Sequence, residues 1–272
     1  MTMSGGSLVL RSIVTVAATL ACSYAAAAAT SLPVGDDEQA CRVYTAAHAN
    51  DTWRKPAGVL KFPYLVPAGP YDQCWDWDSV FLGTATLTFG SRPYLAGAMK
   101  NFLAATNLTD GAVTGCLTRT LPTVCSSSGS EHDALVHAKP ILIQGAWIAA
   151  SAKGGSAVEF KVFRPQMEAL LAYWDRKPRQ DSKTGLRVWH DQMESGADNC
   201  VLSTCPNHRS PCWTDEQAFT LASVDVMTFL QREHIAFALF SEAWAEEAAS
   251  EEEAAVHRSA AVASRALYAM QT

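Results

Sequence analysis

Apolar residues recur at helical spacing in four stretches of the chain. The four sets are Leu95, Ala98, Met99 and Phe102; Phe160, Phe163, Met167, Leu170, Leu171 and Trp174; Val226, Leu230, Phe237, Phe240 and Trp244; and Val256, Ala260, Ala263, Leu267 and Met270. This spacing places each set on one face of an α-helix. The nearly all-apolar segment PILIQGAWIAASA, residues 140–152, predicts a further, buried helix.

Long stretches rich in Gly, Ser, Pro and Cys separate these helices, notably residues 107–132 and 176–215. The sequence contains no extended alternation of apolar and polar residues, which is the pattern that predicts a β-strand. Loops of this length are uncommon in a compact domain unless they carry function or insertions. The pattern therefore predicts an all-α protein, and the alternation of helices with long loops suits a helical toroid.

The first thirty residues have a different character. After MTMSGGS comes an apolar run, LVLRSIVTVAATLACSYAAAAAT, whose only charge is Arg11. Such a run is typical of a secretory signal peptide, here cleaved between Ala27 and Thr30. An uncleaved membrane anchor is the alternative, because the run approaches spanning length. We therefore treat residues 1–30 as a signal peptide and residues 31–272 as the globular domain.

Composition and charge narrow the class of protein. The 272 residues are 49% hydrophobic and carry a formal net charge of −6, which suits a globular chain. No cluster of Lys and Arg predicts a nucleic-acid partner. The triplets that begin at Asn50 and Asn107 are glycosylation sequons, in keeping with a secreted glycoprotein.

Seven cysteines follow Cys22, and in an oxidising compartment we expect most of them to form disulfides. Cys116 and Cys125 are close enough in sequence to staple one loop. Because seven is odd, one thiol is free, pairs between chains or lacks its partner. The segment CVLSTCPNHRSPC, residues 200–212, has zinc-ligand residue types, but its spacing fits no common zinc site.

Three segments concentrate aromatic and polar side chains. The first is YDQCWDWDSVF, with Trp75, Asp76, Trp77 and Asp78 ahead of an apolar run. Asp78 is a candidate helix N-cap, and the tryptophans are candidates for the core. Aromatic rings flanked by carboxylates also bind sugars, because the rings stack on C–H faces while the carboxylates bond to hydroxyls.

The second segment, HAKPILIQGAW, contains His137, Lys139, Gln144 and Trp147. Gln144 is notable within an otherwise apolar helix, because a buried amide needs hydrogen-bond partners. The third segment, HDQMESGADN, crowds polar side chains around Gly196 in residues 190–199.

Taken in order, WDWDSVF, HAKP with GAW, and GLRVWHDQMESGADN resemble the catalytic domain of glycoside hydrolase family sixty-three and the related mannosylglycerate-hydrolase-like enzymes. The resemblance covers residues 71–270, and its most specific part is the E-S-G-x-D-N element at residues 194–199. It implies an (α/α)6 barrel, hydrolysis of an α-linked glucosyl or mannosyl substrate with inversion, and no cofactor or metal. It also implies Asp198 as the general acid, with a pKa raised by burial and by Glu194. The implied sugar contacts are Trp75, Trp77, Asp78, Gln144, Trp147, His190, Glu194 and Asn199.

Two departures from the family qualify this expectation. The proline that usually follows the D-N pair is displaced by the cysteine-rich segment at residues 200–212. The resemblance therefore does not determine the conformation of the entrance loop or the identity of the substrate. An inverting enzyme also needs a second carboxylate as base, which in the family lies beyond the position of Thr272. We therefore expect only the N-terminal part of the barrel here, and the alternative function is a sugar-binding remnant without turnover. Glu233, on an apolar helix face, is either a local replacement or one half of a buried ion pair.

Overall fold

The computed structural model describes residues 36–67, 69, 71–120, 137–176, 179–181, 184–189, 192–196 and 224–270. The predicted signal peptide, His190, Asp198, Asn199 and the segment 200–212 lie outside this part of the chain. Over the described ranges the protein is mostly helical, which agrees with the predicted all-α class. No described helix is both long enough and apolar enough to cross a membrane.

The chain divides into two compact units, residues 1–47 and 48–272. The α-helices, in chain order, are α1 (Asp36–His48), α2 (Asp76–Ala85), α3 (Arg92–Ala105), α4 (Leu142–Ser151), α5 (Arg164–Trp174), α6 (Gln192–Ser195), α7 (Val224–Glu246) and α8 (Glu251–Met270). Short 3-10 helices cover Ala49–Thr52, Leu87–Phe89 and Ala157–Phe163. Helix α1 belongs to the first unit apart from its last residue, and the other elements belong to the second.

Four two-residue strands, absent from the sequence prediction, tie loops to the helices. They are β1 (Trp53–Arg54), β2 (Tyr64–Leu65), β3 (Cys74–Trp75) and β4 (Cys116–Leu117). β1 pairs with β2 and β3 with β4, both antiparallel. Strands this short leave too little periodicity in a sequence to be recognised.

The core of the larger unit forms where α3, α4 and α7 pack together. Leu95, Ala98, Met99 and Phe102 are fully buried on α3, which confirms the predicted stripe. Gly145 on α4 allows the close approach, because a Cβ there would lie 2.6 Å from Val80 and 2.7 Å from the sulfur of Met99. The predicted stripe of α7 is buried as well, including Phe240 and Trp244.

The predicted helix over residues 160–174 is in fact two elements. A 3-10 helix occupies Ala157–Phe163, and α5 begins at Arg164 with Pro165 in its first turn. Proline lacks an N–H and suits the first turn of a new helix rather than the middle of a longer one. The apolar face nevertheless continues across the junction, because Phe160, Met167 and Trp174 are all buried.

The prediction for α8 placed the wrong face in the core. Val256, expected inside, is 49% exposed, whereas the buried residues are Ala254, His257, Ala261 and Ser264. Small side chains on this inner face let α8 approach α7 closely, and the His257 ring lies 5.7 Å from that of Trp244. Val256, Ala260 and Ala263 of the predicted stripe instead line a surface groove of about 600 Å³ beside Arg164.

Three of the cysteines lie in the described part of the chain. Cys116 is disulfide-bonded, whereas the thiols of Cys41 and Cys74 are free. Burial raises the pKa of the Cys74 thiol to about 12. Because Cys125 lies outside the described residues, its pairing with Cys116 stays a prediction.

Candidate functional site

The three chemistry-bearing segments of the sequence meet around Gly196. This glycine follows α6 with φ +76°, the left-handed region that favours glycine. A Cβ at this position would lie 2.4 Å from Cη2 of Trp77 and 2.9 Å from Cε of Lys139. The turn after Glu194 therefore packs directly against both α2 and the loop before α4.

Asp76 joins the first two segments. It is completely buried at the start of α2, where its Oδ1 accepts from the backbone N–H of Trp77 at 2.6 Å. Its Oδ2 accepts from the backbone N–H of Lys139 at 2.7 Å, across 63 residues of sequence. Gly115 packs against the same carboxylate and accepts from the Asp76 backbone N–H. Asp76 thus joins the start of α2 to the loop before α4 through hydrogen bonds.

Asp78 is the more open carboxylate of the pair. The helix is capped at Trp75 and begins at Asp76, so Asp78 lies in the first turn and is not the N-cap that one interpretation predicted. Burial and the charge of Asp76 raise the pKa of Asp78, while Lys139 opposes that shift. Half-buried and beside a cation, it can exchange a proton or accept hydrogen bonds.

Lys139 lies at the centre of the site. Its ammonium is 4.6 Å from the ring centroid of Trp77 and 3.5 Å from Oδ1 of Asp76. The side chain is only 6% exposed. A cation over an indole face and beside a carboxylate is held by both. One face of Trp77, expected to stack on sugar, is therefore occupied by Lys139.

Glu194, the first residue of the E-S-G-x-D-N element, is held in place by an ion pair with Arg179. It is 0% exposed, and both of its oxygens accept from the guanidinium of Arg179, at 2.5 and 2.7 Å. Bidentate pairing of this kind fixes orientation as well as charge. Glu194 therefore serves in this arrangement as an anchor of the Gly196 turn.

Aromatic rings support this anchor. The Arg179 guanidinium lies 4.8 Å from the ring of Tyr173 and 4.9 Å from that of Trp174, and it donates to the Tyr173 hydroxyl. His137 stacks on Tyr173 with centroids 3.7 Å apart. Burial, together with the charge of Arg179, lowers the pKa of His137 to about 4. His137 is thus neutral at ordinary pH and belongs to the support rather than to proton transfer.

Gln144 and Trp147 lie on α4 beside a different opening. They line a groove of about 310 Å³ together with Arg232 and apolar residues of α7. The Gln144 amide donates to the carbonyl of Pro140 and accepts from Arg232 Nε. Its predicted need for hydrogen-bond partners is met.

Glu233 reaches the same helix from the side. Its two carboxylate oxygens accept from the backbone N–H groups of Ile143 and Gln144, at 3.0 and 2.8 Å. It thereby caps the N-terminus of α4, which leaves unpaired N–H groups. Within the described ranges no Arg, Lys or His side chain pairs with it, and its partners there are these two backbone N–H groups. Burial raises the pKa of Glu233 to about 7.

The structure thus brings together Trp77, Asp78 and Glu194 from the predicted set. Trp75 precedes α2 in strand β3, and its buried indole N–H has no hydrogen-bond partner. His190, Asp198 and Asn199 lie outside the described residues. No group of three or more possible metal ligands occurs in the part of the chain that is described.

Three residues of the site were not among those predicted: Asp76, Lys139 and Arg179. Asp76 and Lys139 stand in the two motifs without a predicted role, and Arg179 lies in the unremarkable run DRKPRQD. A single buried arginine among exposed charges carries no periodic or spacing signal. Its partner Glu194 was visible, but the pairing needs the folded chain.

Comparison with known proteins adds no assignment. The sequence matches no protein-family model. No curated protein shows significant similarity to it either.

Proposed function

We propose that the protein is a secretory-pathway glycoside hydrolase that cleaves an α-linked glucosyl or mannosyl substrate with inversion. In this proposal the helices belong to an (α/α)6 barrel, and the substrate is an oligosaccharide or glycoside. The proposal needs no metal or organic cofactor.

What supports the proposal is the convergence of the three motifs on Gly196. Its packing against Trp77 and Lys139 brings together segments that are about 60 residues apart in the chain. A tryptophan, a half-buried carboxylate and a lysine at one point match the needs of sugar recognition, which combines apolar ring faces with a few placed polar groups.

The proposed hydrolysis needs two proton transfers. Asp198, two residues beyond Gly196, would donate a proton to the departing glycosidic oxygen. A second carboxylate, at roughly 6.5–9.5 Å from the acid, would take a proton from the attacking water. Because Arg179 already balances the charge of Glu194, the raised pKa required of Asp198 would come mainly from burial. Glu194 enters the proposal as a positioning residue for the turn that carries Asp198.

The test measures hydrolysis of α-linked glucosyl and mannosyl disaccharides and of mannosylglycerate, with the anomer of the first product read by NMR. We expect the β-anomer and complete loss of turnover in Asp198→Asn, with binding retained. Glu252→Gln, an exposed carboxylate on α8, is the matched control and keeps full activity.

Two outcomes would contradict the proposal. Turnover that survives Asp198→Asn would remove this residue as the general acid. Binding of these sugars by the unmodified protein without turnover at any pH would favour the alternative, a sugar-binding protein without hydrolysis. That alternative uses the same site, so the Trp77 and Asp78 contacts remain common to both.

A further inference from the structure

The Lys139 side chain is only 6% exposed, and its ammonium has no hydrogen-bond partner among the described residues. An ammonium carries three hydrogen-bond donors, yet that of Lys139 makes no hydrogen bond within the described residues. Its nearest carboxylate oxygen, Asp76 Oδ1, is 3.5 Å away, whereas charge-assisted bonds lie at about 2.7–2.9 Å. Both Asp76 oxygens already accept from backbone N–H groups. At 3.5 Å Asp76 offsets the charge of Lys139 without accepting a charge-assisted hydrogen bond of normal length from it.

A second lysine shows what a structural partner looks like in this protein. Lys100 also lies over an aromatic ring, 5.0 Å from the centroid of Phe160. Its ammonium bonds to Oε2 of Glu159 at 2.6 Å, although its side chain is more exposed, at 16%. The more deeply buried Lys139 is thus the one with unused donors. Open donors on a buried cation are costly unless something else occupies them.

Asp78 supplies the complementary acceptor. It is on the same turn of α2 as Trp77 and feels the charges of both Lys139 and Asp76. Two carboxylates against one ammonium leave this corner of the site with excess negative charge. Such a corner repels an anionic ligand and favours a neutral one that both donates and accepts hydrogen bonds. A sugar hydroxyl does both.

We propose that Lys139 and Asp78 together bind two neighbouring hydroxyl groups of an uncharged pyranose ring. The ammonium donates to one hydroxyl oxygen, and the Asp78 carboxylate accepts from the other hydroxyl. Trp77 and Gly196 confine the lysine, since its ammonium lies over the Trp77 ring and a Cβ at Gly196 would lie 2.9 Å from its Cε. This inference rests on the proposed function and narrows it to neutral hexoses at this position, excluding uronic acids and phosphorylated sugars.

The experiment is calorimetric titration with methyl α-D-glucopyranoside and methyl α-D-mannopyranoside at pH 7. Lys139→Met should weaken binding by roughly ten- to a hundredfold, the range for loss of one charge-assisted hydrogen bond. Lys100→Met, the matched control, should stay within about twofold of the unmodified protein, because its partner Glu159 lies outside the site. Methyl α-D-glucuronide should bind at least tenfold more weakly than the glucoside.

A folding check on each variant distinguishes the loss of a sugar contact from the loss of the fold. If Lys139→Met does not fold, Lys139→Gln retains a neutral donor and is measured in its place, together with Asp78→Asn and the double variant. Since both residues are proposed to hold one ring, the double variant should lose less than the product of the two single losses. Independent losses would overturn the shared contact.

The remaining outcomes separate this inference from the proposed function. If the unmodified protein binds the glycosides and Lys139→Met behaves like Lys100→Met, this inference fails and the glycosidase proposal stands. Equal or tighter binding of the glucuronide overturns the restriction to neutral sugars. If the unmodified protein binds none of the three, both proposals fall.

Discussion

In the part of the chain that the structure describes, two glutamates are buried, and they are stabilised in different ways. Glu194 meets the guanidinium of Arg179 through two short hydrogen bonds. Glu233 meets two backbone N–H groups at the start of α4. The first anchor supports the Gly196 turn, and the second holds the helix that follows Lys139. One side of the site is thus fixed by a full ion pair and the other by helix capping.

The difference lies in how each anchor responds to its surroundings. A full positive charge offsets the cost of burying a carboxylate, whereas amide dipoles offset only part of it. The raised pKa of Glu233, about 7, expresses this remainder. The Glu194 anchor should therefore fail when its partner is removed. The Glu233 anchor should respond to pH.

Removal of Arg179 should produce the largest effect. Arg179→Met removes the guanidinium from which both Glu194 oxygens accept, and loss of one partner of a buried ion pair typically costs about 3–5 kcal/mol. We expect the free energy of unfolding, measured by urea denaturation at pH 7, to fall by that amount. Activity should fall with it, since the Gly196 turn loses its anchor.

The double variant Arg179→Met, Glu194→Met is the control for this experiment. With no charge left inside, it should recover most of the lost stability, because apolar replacement of a buried ion pair is often neutral. Activity should stay low if the ion pair positions the turn. A double variant as unstable as the single one would show that Arg179 stabilises mainly through its aromatic neighbours.

Glu233 should make stability depend on pH. The folded protein binds the Glu233 proton more tightly than the unfolded chain, whose carboxyl has a pKa of about 4.5. The contribution of Glu233 to the free energy of unfolding should therefore decline by roughly 3 kcal/mol as the pH rises from about 4.5 to about 7, whereas the lowered pKa of buried His137 gives a contribution of opposite sign. In Glu233→Gln, which does not titrate, this part of the decline should disappear when urea midpoints are compared across the window.

His234 and Arg232 flank Glu233 on α7, and His234 is the other titratable group there. Burial lowers the pKa of His234, so its own contribution gives stability that grows as the pH rises through the range just below 6.5. That sign is opposite to the sign expected for Glu233. His137 contributes with the same sign as His234. Glu233→Gln should therefore make stability rise more steeply with pH than in the unmodified protein, and an unchanged pH dependence would contradict the assignment.

The sequence singled out both glutamates, but it predicted the partner of neither. The stripe that contains Phe237 and Phe240 made Glu233 conspicuous, because a carboxylate on an apolar helix face is unusual. Its partners could not be predicted, since backbone N–H groups of a distant helix leave no trace in residue types. For Glu194 the motif was visible, while Arg179 was one charge in a charged run.

The same limits apply to the fold. The buried faces of α3 and α7 follow from large apolar residues at helical spacing. On α8 the spacing was correct and the face was wrong, because alanines and a histidine pack inside while Val256 stays exposed. When the apolar residues of a helix are mostly alanine, hydrophobicity alone does not choose the face, and the fit to the neighbouring helix decides.

The Gly196 turn should be the next most sensitive to substitution. Gly196→Ala would press a methyl group to within 2.4 Å of the Trp77 ring in a left-handed backbone conformation. Overpacking of this kind costs roughly 1–3 kcal/mol, in addition to the backbone strain. We expect a lower melting temperature and loss of activity.

Gly154→Ala is the matched control for the Gly196 variant. Gly154 has φ +78°, almost the same as Gly196, but a Cβ there meets nothing within 4 Å. It therefore reports backbone strain alone, and the difference between the two variants measures the contact with Trp77 and Lys139. Equal losses of stability would mean that the turn does not press on the site.

The smallest effect is expected where the chemistry of the Glu194 anchor recurs at the surface. Arg265 bonds Glu242 through two hydrogen bonds of 2.8 Å, with both side chains more than 40% exposed. Exposed pairs of this type contribute about 0–1 kcal/mol because water competes for both charges. Arg265→Met should thus lower the free energy of unfolding by less than about 1 kcal/mol, and less still at high salt. A loss as large as that of Arg179→Met would mean that bidentate geometry, and not burial, gives the Glu194 anchor its strength.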